Sequence, residues 1–302
     1  MNDIKSIVER ARALGLALPA FNIPYLPMMR SVIRALRDTG TFALIQVARL
    51  EWEKFESRSL EAVREEYERL KDDRLMRLHL DHVPVVDEDG LEVDYLPILR
   101  RALDAGFDSV MVDGSRLPFD ANVAATRAVI DLAHARGTPV EAELGAVLGH
   151  EAGPLPPYEE LFASGRGFTE PEDAERFVAL TGVDWLSVSI GNIHGAIAGA
   201  AKSQKKPEAR LDLARLSKIA QVTGVPIVLH GGTGIKPENL REGMKRGICK
   251  INIGTAIRAP YEATMGRGAA AADEAVYAAT LAEIASLGLE DSAQRLFEGR
   301  RE

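Results

Sequence analysis

Short apolar runs of strand length alternate with longer amphipathic stretches along almost the whole chain. Ile4 to Leu14 has helical spacing, and Leu18-Pro-Ala-Phe-Asn22 follows as a short strand with a polar end. Met28 to Asp38 predicts an amphipathic helix, Phe42 to Val47 a second strand, and Ser57 to Lys71 a charged helix. Leu75 to Asp81 is the third strand, closed by Asp81-His82 and then Pro84. The pattern continues with a helix over Tyr95 to Ala105, a strand over Asp108 to Asp113 and a helix over Asp120 to Arg136 stopped by Gly137. Val140 to Leu144 is the fifth strand, Pro171 to Leu180 a helix and Trp185 to Ile190 the sixth strand. Leu211 to Val222, Pro226 to His230, Pro237 to Arg246 and Ile248 to Ile253 read as helix, strand, helix, strand.

Eight short apolar strands separated by helices predict a closed parallel (β/α)8 TIM barrel rather than an open sheet. From about Ala259 to Glu302 the chain is rich in Ala and Glu, which predicts one or two extra C-terminal helices, with Gly266 to Ala272 the least ordered part. No linker divides the chain, so residues 1–302 are expected to form a single domain. Two long segments, Gly145 to Gly167 and Gly191 to Arg210, have the length of working loops.

Composition narrows the class. With 46% hydrophobic and 27% charged residues among 302, the chain can bury a full core, as a soluble globular protein does. A net charge of −8 and a pI near 5.4 argue against nucleic acid or an anionic membrane as partner. No apolar run could span a bilayer, and the N-terminus lacks the apolar core of a signal peptide. The lone Cys249, read as a small buried hydrophobe, suits a cytoplasmic location.

In such a barrel the strand C-termini converge on one mouth, and here they offer Asn22, Gln46, Asp81-His82, Asp113, Glu143, Ser189 to His194, His230 and Asn252. A His-Leu-Asp-His cluster alone is more often a hydrogen-bonded polar patch than a metal site. Two more histidines after strands six and seven, His194 and His230, favour the metal. Nitrogen ligands suit zinc better than magnesium; cobalt and iron also accept imidazole. Glycines in Gly191-Asn-Ile-His-Gly195 and His230-Gly-Gly-Thr-Gly234 would turn backbone N–H groups toward a phosphate or other oxyanion.

A Lewis acid beside carboxylates stabilises charge on a ketone oxygen, which favours retro-aldol cleavage, or proton transfer next to the carbonyl, through an enediolate. Asp81 could exchange a proton with a substrate hydroxyl and Glu151 with carbon. Carboxylates that only orient the histidines are the rival reading.

Six motifs in order, Leu78 to His82, Ser109 to Ser115, Val140 to Gly145, Gly191 to Gly195, Leu229 to Gly234 and Lys250 to Asn252, resemble the class II, zinc-dependent fructose/tagatose-bisphosphate (ketose-bisphosphate) aldolases over roughly Pro19 to Arg258. The resemblance implies a cytoplasmic homodimeric or homotetrameric lyase that cleaves a ketose bisphosphate to dihydroxyacetone phosphate and an aldehyde. It implies Zn2+ on His82, His194 and His230, with Glu143 able to approach a second metal position, and a monovalent cation near the phosphate site. Asp81 would act on the C4 hydroxyl, Glu151 on carbon, and Asn252 beside the reacting atoms. Substrate and phosphate contacts would come from Asn22, Gln46, Gly195, Gly231, Gly232, Thr233, Gly254, Thr255 and Arg258.

The departures carry information. Ala48 stands where the family has a phosphate-binding serine, Ala198 where it has a lysine, and Gly254 where it often has an aspartate that discriminates sugars. Losing a lysine and a hydroxyl weakens phosphate binding, so the expected substrate is not ordinary fructose 1,6-bisphosphate. Arg49 and Lys202 are candidate replacements. A zinc isomerase or epimerase, and a non-catalytic sugar-phosphate binder, are the alternative readings.

Overall fold

In the computed structural model, which describes residues 3–145, 157–192, 209–232 and 234–297, the strands close on themselves in sequence order. The strands are β1 (Leu18–Asn22), β2 (Ala43–Ala48), β3 (Met76–Pro84), β4 (Ser109–Asp113), β5 (Val140–Leu144), β6 (Trp185–Val188), β7 (Ile227–Leu229) and β8 (Ile248–Ile253). Every neighbouring pair is parallel, including β8 with β1, so no edge is left open.

Helices α1 (Ile4–Ala13), α2 (Met28–Thr39), α3 (Arg49–Glu53), α4 (Leu60–Leu70), α5 (Tyr95–Ala105), α6 (Phe119–His134), α7 (Tyr158–Ser164), α8 (Pro171–Thr181), α9 (Leu213–Thr223) and α10 (Pro237–Met244) are interleaved with the strands. Their apolar faces point inward: α2 buries Met28, Met29, Val32, Ile33 and Leu36 against the sheet. Because helices cover the outer face and side chains fill the interior, the strands are almost wholly buried, which is why they read as unbroken apolar runs.

Three expectations need correction. The stretch Gly145 to Gly167, read as loop, contains α7, whose short helical register is masked by flanking glycines and prolines; 146–156 lie outside the described residues. Among the described residues the C-terminal region holds three helices, α11 (Thr255–Thr264), α12 (Ala269–Leu287) and α13 (Ser292–Phe297), the first starting ahead of Ala259. Gly266 to Ala272, expected to be poorly ordered, is a 3-10 turn at Met265–Arg267 followed by the first turn of α12.

Strand register explains how polar groups reach the interior. Alternation points residues two apart the same way, and pairs such as His79/Asp81, Glu141/Glu143 and Lys250/Asn252 are all buried. Pairing of β3 with β4 slips by one residue between Leu80 and Val83, because three steps on β3 match two on β4. This bulge turns both Asp81 and the adjacent His82 toward the mouth. A second slip sits opposite Cys249, between Ile227 and Val228 of β7.

The far end is clamped by Asp184. Its carboxylate, almost inaccessible, accepts Lys5 Nζ at 2.6 Å, His134 Nε2 at 2.8 Å and the Val140 N–H at 2.8 Å, tying α1, α6 and β5 together. Replacing it strands the buried Val140 N–H and removes the acceptor of Lys5 Nζ and His134 Nε2. Asp184→Ala should therefore lose about 2–4 kcal/mol of unfolding free energy; a denaturation midpoint equal to wild type would contradict this role.

Candidate metal centre and active site

Asp81 is the hub of the mouth. It is 1% exposed, yet three carboxamides donate to it: Asn22 Nδ2 at 2.9 Å and Gln46 Nε2 at 3.2 Å to Oδ2, and Asn252 Nδ2 at 3.0 Å to Oδ1. The Lys250 ammonium lies 3.8 Å from Oδ1. Burial pushes such a carboxyl up, but the charges of His82, Lys250 and His230 overcome it and hold Asp81 well below the usual carboxylate range. Gln46 also donates to Asn22 Oδ1 at 2.7 Å, so the two amides are fixed relative to each other.

Two imidazoles face one another beside this carboxylate, their ring centroids 4.4 Å apart. Each is held from behind by an acid. His82 Nδ1 lies 3.1 Å from Asp113 Oδ2, and His230 Nε2 lies 2.8 Å from Glu141 Oε1. These bonds orient the two rings. The His230 Nδ1 atom faces Glu143 Oε2 at 3.0 Å, and Glu143 also accepts Ser187 Oγ at 3.2 Å.

Potential ligand atoms of Asp81, His82 and His230 lie within 4.8 Å of one another, as do those of His82, Asp113 and Glu143. Converging imidazole nitrogens backed by carboxylates, with a further carboxylate alongside, fit a divalent metal. Burial opposes protonation of His82, but Asp81 and Asp113 push it up to about 10. For His230, burial and His82 act downward, and Glu141 and Glu143 raise it above its ordinary value. Both rings therefore sit in a field that attracts positive charge.

Beneath the rings runs a buried relay that the sequence reading did not assign. Lys250, without exposure, donates to Glu141 Oε2 at 2.8 Å, and Glu141 in turn supports His230. Burial would raise Glu141, yet Lys250 and His230 bring it down to about 2. His79 bonds Ser109 Oγ at 2.8 Å and is lowered to about 3 by burial and Lys250, so it stays neutral. The available signal was two polar residues spaced by two in an otherwise apolar strand, as in Val140-Glu-Ala-Glu-Leu144.

Of the expected site residues, Asn22, Gln46, Asp81, His82, Glu143, His230 and Asn252 gather at this mouth. Gly231, with φ of 67°, and the buried Gly232 follow β7. Gly254 and Thr255 open α11 at the end of β8, where first-turn N–H groups have no helical acceptor. Arg258, one turn on, donates to Glu262 at 2.8 Å and stacks 5.1 Å from Phe55. The third expected ligand His194, with Glu151, Gly195, Ala198, Lys202 and Thr233, lies outside the described residues.

Comparison with known proteins gives the family and the fold. The model of the family described as "Fructose-bisphosphate aldolase class-II" matches residues 2–296. A fructose-bisphosphate aldolase of Geobacillus stearothermophilus is 38% identical over 178 residues, 59% of this chain and 53% of that protein. The matched stretch thus spans about half the length of that relative. Among solved structures, a putative fructose-1,6-bisphosphate aldolase from Coccidioides immitis is 27% identical with a TM-score of 0.77, covering 97% of this chain and 99% of that one. The YdjI aldolase of Escherichia coli K12, 23% identical with a TM-score of 0.74 over 97% of this chain and 99% of that one, shares the fold. The chain belongs to the class II fructose-bisphosphate aldolase family.

Proposed function

We propose that this chain is a metal-dependent aldolase that reversibly cleaves a ketose phosphate, or a related ketose, to dihydroxyacetone phosphate or a similar ketone and an aldehyde. The observation that carries this reading is an ionised, inward-pointing Asp81 set beside two converging imidazoles. Zinc is the metal we assign, on His82 and His230 with His194 as third ligand, because imidazole donors suit it. When bound, it polarises a ketone carbonyl and stabilises the negative charge that develops on its oxygen.

The chain's own groups handle the proton. Asp81 accepts the proton of the C4 hydroxyl, the C3–C4 bond breaks, and its electron pair stays on C3 as an enediolate. The amide donors of Asn22, Gln46 and Asn252 keep Asp81 oriented and ionised. Those same donors weaken it as a base, and with a single amide donor on Oδ1 the carboxylate keeps an acceptor position for a substrate hydroxyl. Glu151, by resemblance, returns a proton to carbon, and Glu143 stands where a second metal position could be approached.

Substrate recognition follows the glycines. Backbone donors at Gly231 and Gly232 and at the start of α11, Gly254 and Thr255, suit a phosphate. Gly195 and Thr233 are assigned beside them by resemblance, as is a monovalent cation, and Arg258 is assigned by resemblance to the distal phosphate. The same resemblance implies a homodimer or homotetramer. No helix among the described residues is long and apolar enough to cross a membrane, and the single buried cysteine supports a reducing compartment, the cytoplasm. With Ala48, Ala198 and Gly254 replacing family polar groups, ordinary fructose 1,6-bisphosphate is not the preferred substrate.

Three outcomes test this. Asp81→Ala should keep its metal while retro-aldol cleavage, followed as triose release, falls about 10²–10⁴-fold; wild-type turnover would remove Asp81 from the chemistry, and an isomerised ketose without triose would favour an isomerase. Zinc affinity of the apoprotein, measured against a chromophoric chelator, should rise with pH between 6 and 8. Protons held by His82, at about 10, and by the raised His230 must leave before the metal binds, giving about tenfold per pH unit for each proton displaced; a flat profile would exclude these rings as ligands. Efficient turnover of fructose 1,6-bisphosphate relative to other ketoses would refute the altered specificity.

A further inference from the structure

The mouth has a carboxyl group that no role above uses. Glu51 lies on α3, directly after β2, and is only 8% exposed. Its Oε2 accepts the Ala48 N–H at 2.8 Å, and the carboxyl lies against Asn22 within the field of Asp81 and His82. A surface glutamate would sit elsewhere; this one borders the reacting groups.

Its bond to Ala48 has a consequence for ligands. The Ala48 N–H ends β2 at the mouth, where it could serve a bound anion, and Glu51 supplies an anion-like acceptor from within the chain. Nearby cations are also engaged. Arg49 lies 3.6 Å from Asp87, Lys54 bonds Asp89 at 2.9 Å, and Arg258 is paired with Glu262. A phosphoryl dianion binds tightly only where charge-assisted donors meet it.

Resting on the aldolase reading, we propose that Glu51 is a specificity-determining residue that disfavours a phosphorylated substrate end over β2 and α3 and accepts a hydroxyl there instead. The substrate class is then a ketose phosphorylated at one end, with a neutral polyol at the other. Burial, with Asp81 adding to it, pushes the Glu51 carboxyl up to about 8. In its ionised form it repels phosphate; in its neutral form it still supplies no positive charge. Both forms accept a hydroxyl hydrogen bond.

The test compares kcat/KM for fructose and tagatose 1-phosphates with those for the corresponding 1,6-bisphosphates, using metal-loaded wild type, Glu51→Gln and Glu51→Ala. Wild type should prefer the monophosphates. Glu51→Ala should move the ratio toward the bisphosphates by at least tenfold, mainly through KM, and Glu51→Gln, which keeps an acceptor for Ala48, should move it in the same direction. A wild-type preference for bisphosphates, or a ratio unchanged in both variants, overturns the assignment. Should Glu51→Ala not fold, the wild-type ratio and the near-isosteric Glu51→Gln decide. Absence of triose release from all four sugars would instead remove the aldolase reading, and this inference with it.

Discussion

Lys250 carries an ammonium group into the centre of the barrel, where water cannot reach it, and the site depends on how that charge is matched. A lone buried cation is costly; a pair costs less only when its geometry is good and its other hydrogen-bonding positions are filled. Here Glu141 takes the direct bond and Asp81 stands at 3.8 Å, so one cation serves two acids. Glu141 then holds His230, and Asp81 is finished by three carboxamides. The acid assigned to the reaction and the acid that holds a metal-assigned ring thus share one counter-ion. Displacing any member leaves another buried charge unpaired, which fixes the spacing of the group more firmly than packing alone could.

Such a network requires polar side chains inside a barrel whose strands are otherwise apolar. Alternation supplies most of them: residues two apart on β5 and β8 project together toward the interior. Alternation alone would send Asp81 and His82 to opposite faces. The register slip after Leu80 resolves that conflict, since the extra residue lets both contribute at the mouth. The bulge is therefore the feature that joins the carboxylate to the imidazole pair.

Much of this was legible in the sequence, for identifiable reasons. Each strand is buried on both faces, so its apolar run is unmistakable, and Asp81, His82 and His230 stand out because they close such runs. The relay was harder to read. Glu141 and Lys250 are 109 positions apart, and only closure of the barrel brings them together. His79 could be read equally as core or site, and in the structure it is a neutral, hydrogen-bonded core residue. Glu51 carries no signal of its own within Ala48 to Trp52. The short helix it caps carries too few residues to show a period.

The mouth is chemically lopsided, and that polarity bears on how a ligand lies in it. On the β7 to β8 side the chain offers glycines and the start of α11, where backbone N–H groups and the helix dipole favour an anion. On the β1 to β3 side it offers Asp81 and Glu51, with carboxamides between them and with the neighbouring Arg49 paired to Asp87. An anionic group placed over the second side would forgo the donors of the first and meet like charge. A molecule with one charged and one neutral end therefore has a single favourable orientation, its charged end on the glycine side and its hydroxyls toward Asp81. Orientation of this kind costs the protein no moving part, because the opposing fields are fixed by the same strands that hold the metal ligands.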